Sequence, residues 1–310
     1  GRISSSNQQC HGTSPRGAYG LYLDEQFRRL LAHLPNHITV RTIPQSIQSF
    51  MPSEQMTHVQ TATTSYQVNQ LVCTIGHRFA PIRPEWHGQA FAAYPCDRYG
   101  AELSAHVTVV GAGPSGIEVA LHALHNLGVE RVSLVSRRGY ARLPQVEPAM
   151  SYTCPWLTRQ QMQRNPTAQW AQYLLEQSLL TAYQGSNIAY PGWEAMLQIE
   201  NYGRFLADYL QQATPDHPLA RLARPVMSFL HQTQTLLSSD ERVKLQQLLS
   251  SVKHLFATQS WACAEMMLAA MQSGRLSLQA GTFLPHCKTP TIVSPDSKRW
   301  QPNSVILATG

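Results

Sequence analysis

The residues with the plainest chemical meaning are the glycines of Gly111-Ala112-Gly113-Pro114-Ser115-Gly116. At the first position glycine permits a tight strand-to-helix turn. At the second it lets backbone approach a pyrophosphate, and at the third it lets the helix lie close to the strand. Backbone N–H groups at the helix start, around Pro114 to Ile117, then face the phosphates with the positive end of the helix dipole behind them. G-x-G-x-x-G alone is a weak signal, equally open to a glycine-rich turn without a ligand. Its flanks decide. Val107-Thr108-Val109-Val110 reads as a buried strand, Ile117 to Leu127 as an apolar helix ending at Gly128, and Arg131-Val132-Ser133-Leu134-Val135-Ser136 as a second strand. Strand, glycine turn, helix and strand make a complete βαβ unit of about 30 residues.

Dinucleotide type is set at the end of the second strand. An acid there bonds the ribose hydroxyls of NAD or FAD, whereas a 2′-phosphate calls for neutral or basic groups. The chain places Ser136-Arg137-Arg138 at that point, with no acid. Arginine grips a phosphate in bidentate fashion or stacks on adenine, so NADP(H) is favoured. The alternative is that Arg137 and Arg138 are solvated loop charges. Arg131 and Arg142 are less well placed. Other constellations are weaker. Ile117 occupies the second-glycine position of G-x-S-x-G, so Ser115 is not a hydrolase nucleophile. His122 and His125 share a helix face without a carboxylate pair, and no metal site is expected. Met266, Met267 and Met271 fit a core helix. No side chain stands out as a catalytic acid or base.

Composition narrows the class. Of 310 residues 43% are hydrophobic and 14% charged, with a net charge of +6, against a usual charged share of about 25%. Basic residues run no longer than the pairs Arg28-Arg29, Arg137-Arg138 and Lys298-Arg299, which argues against nucleic acid and against a polybasic membrane anchor. No apolar stretch approaches the ~18–20 residues of a membrane span, and Gly1 to Ser6 lack a signal-peptide core, so a cytoplasmic protein is expected. The six cysteines are scattered without C-x-x-C, against a disulfide scaffold, a zinc finger or a C-x-x-C redox centre.

Around the βαβ unit, residues 22–34 carry helical spacing at Leu23, Phe27, Leu30, Leu31 and Leu34. Strand alternation follows at Ile38, Val40 and Thr42, then roughly 56–64, then Tyr66 to Gly76. Residues 80–104 are rich in Pro and Gly and read as crossing loops. From 155 to about 273 the signals are helical: 170–180, 203–212, 222–237, 241–256 and 262–271. Strand signals return at 276–278, 291–293 and 304–307. The helical block reads as an insertion between sheet elements. Its aromatics, Trp170, Trp193 and Trp261 among them, suit substrate or partner recognition and core packing equally well.

Val107 to Gly139 resembles the inner NADPH-binding unit of two-dinucleotide flavoproteins related to flavin-containing monooxygenases and amino-acid N-hydroxylases, the bacterial FAD/NAD(P)-binding group. Val72-Cys73-Thr74-Ile75-Gly76-His77 is similar to the segment where the chain leaves the FAD domain, and Val305-Ile306-Leu307-Ala308-Thr309-Gly310 to the segment where it returns. Arg16 to Gly20, followed by Tyr22-Leu23, resembles the stretch leading into a helix near the flavin. The likeness covers roughly 15–140 and 270–310. It implies an α/β fold, with a Rossmann-like NADPH-binding domain that carries a helical insertion and part of a second, FAD-binding Rossmann-like domain. The implied division is 1–80 partial FAD domain (helix plus meander), 81–104 crossing, 105–154 NADP(H)-binding βαβ, 155–273 helical insertion, and 274–310 strands returning into the FAD domain. Thr74, Gly76, His77, Thr309 and Gly310 join Gly111, Gly113, Pro114, Ser115, Gly116, Ser136, Arg137 and Arg138 as expected cofactor contacts. NADPH and FAD are the implied cofactors. The implied function is an NADPH-dependent flavoprotein oxidoreductase, monooxygenases included, acting on a small molecule; the alternative is a non-catalytic NADP(H)-binding or redox-sensing module. No FAD fingerprint precedes His106, and the sequence stops at the returning strand, so an internal fragment of a longer flavoprotein is expected.

Overall fold

In the computed structural model, residues 16–74, 82–94, 96, 99, 102–146, 152–256 and 259–308 are described. They fall into two units, 14–79 and 80–310 with the first residues. Gly76, His77, Thr309 and Gly310 lie outside the described residues.

In the first unit a helix, α1 (Arg16–Ala32), is followed by three antiparallel strands in the order β1 (Ile47–Pro52), β2 (Thr57–Thr61), β3 (Ser65–Val68). The helix starts earlier than the spacing at 22–34 suggests, so Tyr19 to Leu23 lie within it rather than leading into it. Two further expectations are corrected. Ile38, Val40 and Thr42 alternate but form no strand, and the first strand begins at Ile47. Alternation marks a chain able to pair; it does not name a partner. Residues 71–74 are irregular rather than the end of a strand.

The second unit is built on a five-stranded, all-parallel sheet of order β4-β11-β5-β6-β7. Its strands are β4 (Ala90–Ala92), β5 (His106–Val110), β6 (Arg131–Ser136), β7 (Leu276–Ala280) and β11 (Val305–Leu307). Between β5 and β6 runs α2 (Pro114–Asn126). Side chains alternate between two apolar layers. Val109, Leu134 and Ile306 enter the large core with α2 and the helices, and Val110, Val135 and Val305 face Trp86, Ile292 and Trp300 on the other side. Strands buried on both faces read as continuous apolar runs, which is why β5 and β6 stand out in the sequence. The second face is covered by a small antiparallel sheet of β8 (Thr282–Phe283), β9 (Ile292–Val293) and β10 (Arg299–Trp300).

This topology overturns one boundary. The strands of 274–310 do not return into a separate FAD domain; β7 and β11 complete the glycine-loop sheet, and β11 lies between β4 and β5. A three-residue apolar strand such as Val305–Leu307 carries no mark of the sheet it will join. The segment 80–104, read as loops, contributes β4, likewise too short to show a period.

Between β6 and β7 stand seven helices among the described residues: α3 (Arg159–Arg164), α4 (Ala168–Gln184), α5 (Trp193–Leu197), α6 (Tyr202–Gln212), α7 (Pro218–Thr233), α8 (Ser239–Phe256) and α9 (Trp261–Gln272). The short α3 and α5 were not legible from periodicity. Side-chain oxygens at the caps fix several starts. Thr158, Thr167, Asn201 and Ser260 each accept from the backbone N–H three residues on. Leu174, Leu179, Leu222, Phe229, Leu245 and Leu255 are among the buried apolar side chains that the block adds to the large core. No described helix is long and apolar enough to cross a membrane.

Candidate functional site

The site forms where β5 ends and the chain turns into α2. Gly111 has φ +111°, a conformation that favours glycine. Its N–H donates to Val135 O at 2.8 Å, tying the turn to β6. A Cβ on Gly116 would stand 1.7 Å from the carbonyl oxygen of Gly111, so only glycine lets the helix come this close to the turn. Gly113, by contrast, meets no backbone within 4 Å; the nearest atom to its virtual Cβ is Nη2 of Arg142, at 3.7 Å. It is the N-cap of α2 and offers no side-chain cap, unlike Thr167, Asn201 or Ser260. Pro114 has no N–H, and the N–H groups of Ser115 and Gly116 precede the first helical bond, Ile117 N to Gly113 O at 3.0 Å. These free donors and the dipole behind them form an anion-binding end.

Strand order adds a second reason. From β5 the chain builds outward through β6 to β7, then returns by β11 to the other side of β5. Where the winding reverses, the connections part and leave a crevice at the carboxyl ends of the strands, the usual ligand position in open parallel sheets. Ala308, just past β11, donates its N–H to Val110 O at 2.9 Å, and its methyl faces Gly116.

At the end of β6, Ser136 is occupied by its own turn. Its hydroxyl accepts from Tyr140 N and donates to Tyr140 O, both at 3.0 Å. Arg137 and Arg138 are exposed. Nη2 of Arg137 donates to Ser250 Oγ on α8 at 3.2 Å. Arg138 borders a cavity of about 480 Å³ with Trp193, Glu194, Lys244 and Ser251. The structure thus gathers Gly111, Gly113, Pro114, Ser115 and Gly116 at one turn and sets Ser136, Arg137 and Arg138 at the end of the neighbouring strand. Thr74 belongs to the other unit.

Arg142 is better placed than its sequence position suggests. The helical block clamps the segment that bears it. Tyr202 Oη donates to Arg142 O at 3.1 Å and Tyr209 Oη to Pro144 O at 3.2 Å. Leu143 N donates to His254 O at 2.9 Å, and Gln145 N to Gln259 O at 3.2 Å. The Tyr140 ring lies 5.0 Å from that of His254, and its hydroxyl accepts from Ile199 N. Burial lowers the pKa of Arg142. That of Lys253, in the last turn of α8, is lowered by partial desolvation and then by the guanidinium groups of Arg142 and Arg137. Among the described residues none of Arg137, Arg138, Arg142 and Lys253 forms an ion pair.

A family model described as FAD-NAD(P)-binding matches residues 4–78. This agrees with the resemblance read from the sequence, and it lies wholly outside the Gly111–Gly116 loop. No curated protein matches the chain. Among solved structures, 94% of the chain is similar to L-lysine 6-monooxygenase from Pseudomonas syringae, at 15% identity, TM-score 0.38 and 63% of that chain. The ornithine N-hydroxylase of Kutzneria sp. 744, solved with reduced FAD, NADP+ and L-ornithine, is similar over 95% of this chain and 58% of its own, at 10% identity and TM-score 0.41. A cyclohexanone monooxygenase is similar over 94% of this chain and 56% of its own, at 16% identity and TM-score 0.39. The chain spans about six-tenths of the length of these structures.

Proposed function

We propose that the chain binds NADPH at the Gly111–Gly116 turn and serves an NADPH-dependent flavoprotein oxidoreductase acting on a small molecule, with monooxygenation the reaction class to test. The observation that carries this reading is the uncapped start of α2 at the reversal point of a parallel sheet, beside a β6 end that bears Arg137 and Arg138 in place of an acid. The residues fit the cofactor. Ser115 N and Gly116 N would hold the pyrophosphate, Gly113 would let it approach, and Arg137 with Arg138 would meet the 2′-phosphate. Residues 1–80 are read as the partial FAD-binding domain, supported by the family match over 4–78; among the described contacts expected for flavin only Thr74 remains, and no step is assigned to it. When bound, the nicotinamide and the flavin would supply two-electron redox chemistry. What the chain's own residues contribute is positioning and charge.

The test is titration of the full chain with NADPH and NADH, followed by anaerobic absorbance after FAD is supplied. NADPH binding at least tenfold tighter than NADH, with bleaching of the flavin band, supports the reading. A second reading, an NADP(H)-binding module without turnover, is favoured by the single glycine loop of this kind among the described residues. NADPH binding with no flavin reduction would select it. Equal affinity for the two nucleotides would remove the role of Arg137 and Arg138.

A further inference from the structure

The helical block meets the segment that bears Arg142 at the end of α8. The backbone bond from Leu143 N to His254 O makes Arg142 and Lys253 neighbours across a pair of segments. Arg142 then extends to Gly113, and Arg137 extends to Ser250, one helical turn before Lys253. Three cations from two distant stretches of chain therefore influence one another, Arg142 at the turn and Arg137 and Lys253 beside it on β6 and α8. Like charges held together raise the energy of the empty site, and no carboxylate among the described residues offsets them. A ligand that brings two phosphate groups relieves that repulsion.

We propose that Lys253 and Arg142 are phosphate-binding residues for the dinucleotide, Lys253 with Arg137 reading the 2′-phosphate and Arg142 holding the pyrophosphate over Gly113, so that α8 of the helical block selects NADP(H). The proposal rests on NADPH binding at this turn. The two residues differ in what they report. Arg142 lies over the loop where every dinucleotide places its pyrophosphate, so it acts on NADPH and NADH alike. Lys253 lies one turn beyond Ser250, the residue that Arg137 of the β6 end reaches, and at that end only a 2′-phosphate distinguishes the ligands. A lysine in the last turn of a helix also suits the negative end of the dipole. That role touches stability and leaves nucleotide preference unchanged.

The experiment titrates the full chain and its Lys253→Gln, Lys253→Arg and Arg142→Gln variants with NADPH, NADH, 2′,5′-ADP and ADP, with thermal unfolding to verify folding. Lys253 is exposed, so the fold is expected to survive. Lys253→Gln should weaken NADPH and 2′,5′-ADP about tenfold and leave NADH and ADP within a factor of two; Lys253→Arg should restore most of the loss. Arg142→Gln should weaken NADPH, NADH and ADP by a similar factor and 2′,5′-ADP, which has no pyrophosphate, less. Unchanged NADPH affinity in Lys253→Gln, or an equal loss for NADH, overturns the role of Lys253. Loss confined to NADPH in Arg142→Gln overturns that of Arg142. Failure of the underlying reading shows differently, as an unmodified chain that binds none of the four.

Discussion

Leu30 on α1 and Leu174 on α4 belong to helices of the same length, 17 residues, yet Leu30 is 61% exposed and Leu174 fully buried. The contrast extends to the units that carry them. In the described part of 14–79 only Val59 and Thr61 are buried, and Tyr22, Phe27, Phe50 and Met51 are all exposed. Unit 80–310 closes a core on both faces of its sheet. α1 is held by local means, the ion pairs Arg28–Asp24 and Arg29–Glu25 one turn apart, each worth about 0.3–0.5 kcal/mol. α4 is held by tertiary packing. One unit matches a family pattern with hardly any interior of its own; the other has an interior and the glycine turn.

The largest effect expected is at Gly116. A Cβ there meets the Gly111 carbonyl at 1.7 Å, backbone against backbone, so no rotamer relieves it. Gly116→Ala should destabilise unit 80–310 by more than about 4 kcal/mol and abolish NADPH binding, read by thermal unfolding and titration. Retained binding would show that the close approach of helix and turn is dispensable. Next comes Leu174→Ala, which removes a fully buried side chain and should cost about 2–5 kcal/mol. A loss below about 1 kcal/mol would mean that α4 is held no more tightly than α1.

Acid should act on the same unit. Burial depresses His217 and His254 to about 4, against an ordinary value near 6.5. The unfolded chain therefore takes up protons that the folded one refuses. Stability from both groups is complete above pH ~6.5 and is lost as pH falls toward 4, on the order of 3 kcal/mol per histidine. Unfolding followed from pH 7 to 4.5 should show the decline, and His254→Gln should remove part of it. His254 also accepts the Leu143 bond through its backbone, so the Arg142 segment should loosen over the same range.

Signals written in adjacent residues were legible. Gly111, Gly113 and Gly116, the apolar runs on either side, and Arg137-Arg138 predict the turn, the βαβ unit and the basic end of β6, because each rests on local sterics or burial. What the sequence did not reveal depends on distant pairing. Ser250 is 113 positions from Arg137, and nothing in the Lys253 neighbourhood marks it as a neighbour of Arg142. Val305–Leu307 reads as a strand, but its place between β4 and β5 follows from register that three residues cannot encode. Arg142 reads from the sequence as less well placed than Arg137 and Arg138; the clamp by Tyr202 and Tyr209 holds its segment so that its guanidinium reaches Gly113.

The smallest expected effect sharpens the comparison most. Phe27 of α1 is 48% exposed, so Phe27→Ser removes little buried apolar area. Serine is a slightly poorer helix former than most, and surface substitutions of this kind usually stay within about 0.5 kcal/mol. Hydrogen exchange on the full chain provides the readout. Amides of α1 should already exchange faster than those of α4, since local opening follows the density of buried contacts, and Phe27→Ser should leave that order and the α4 rates unchanged. A loss of more than about 1.5 kcal/mol, or slow exchange throughout α1, would mean that Phe27 and its exposed neighbours are covered in solution. The apolar surface of 14–79 would then be an interface rather than an unpacked helix.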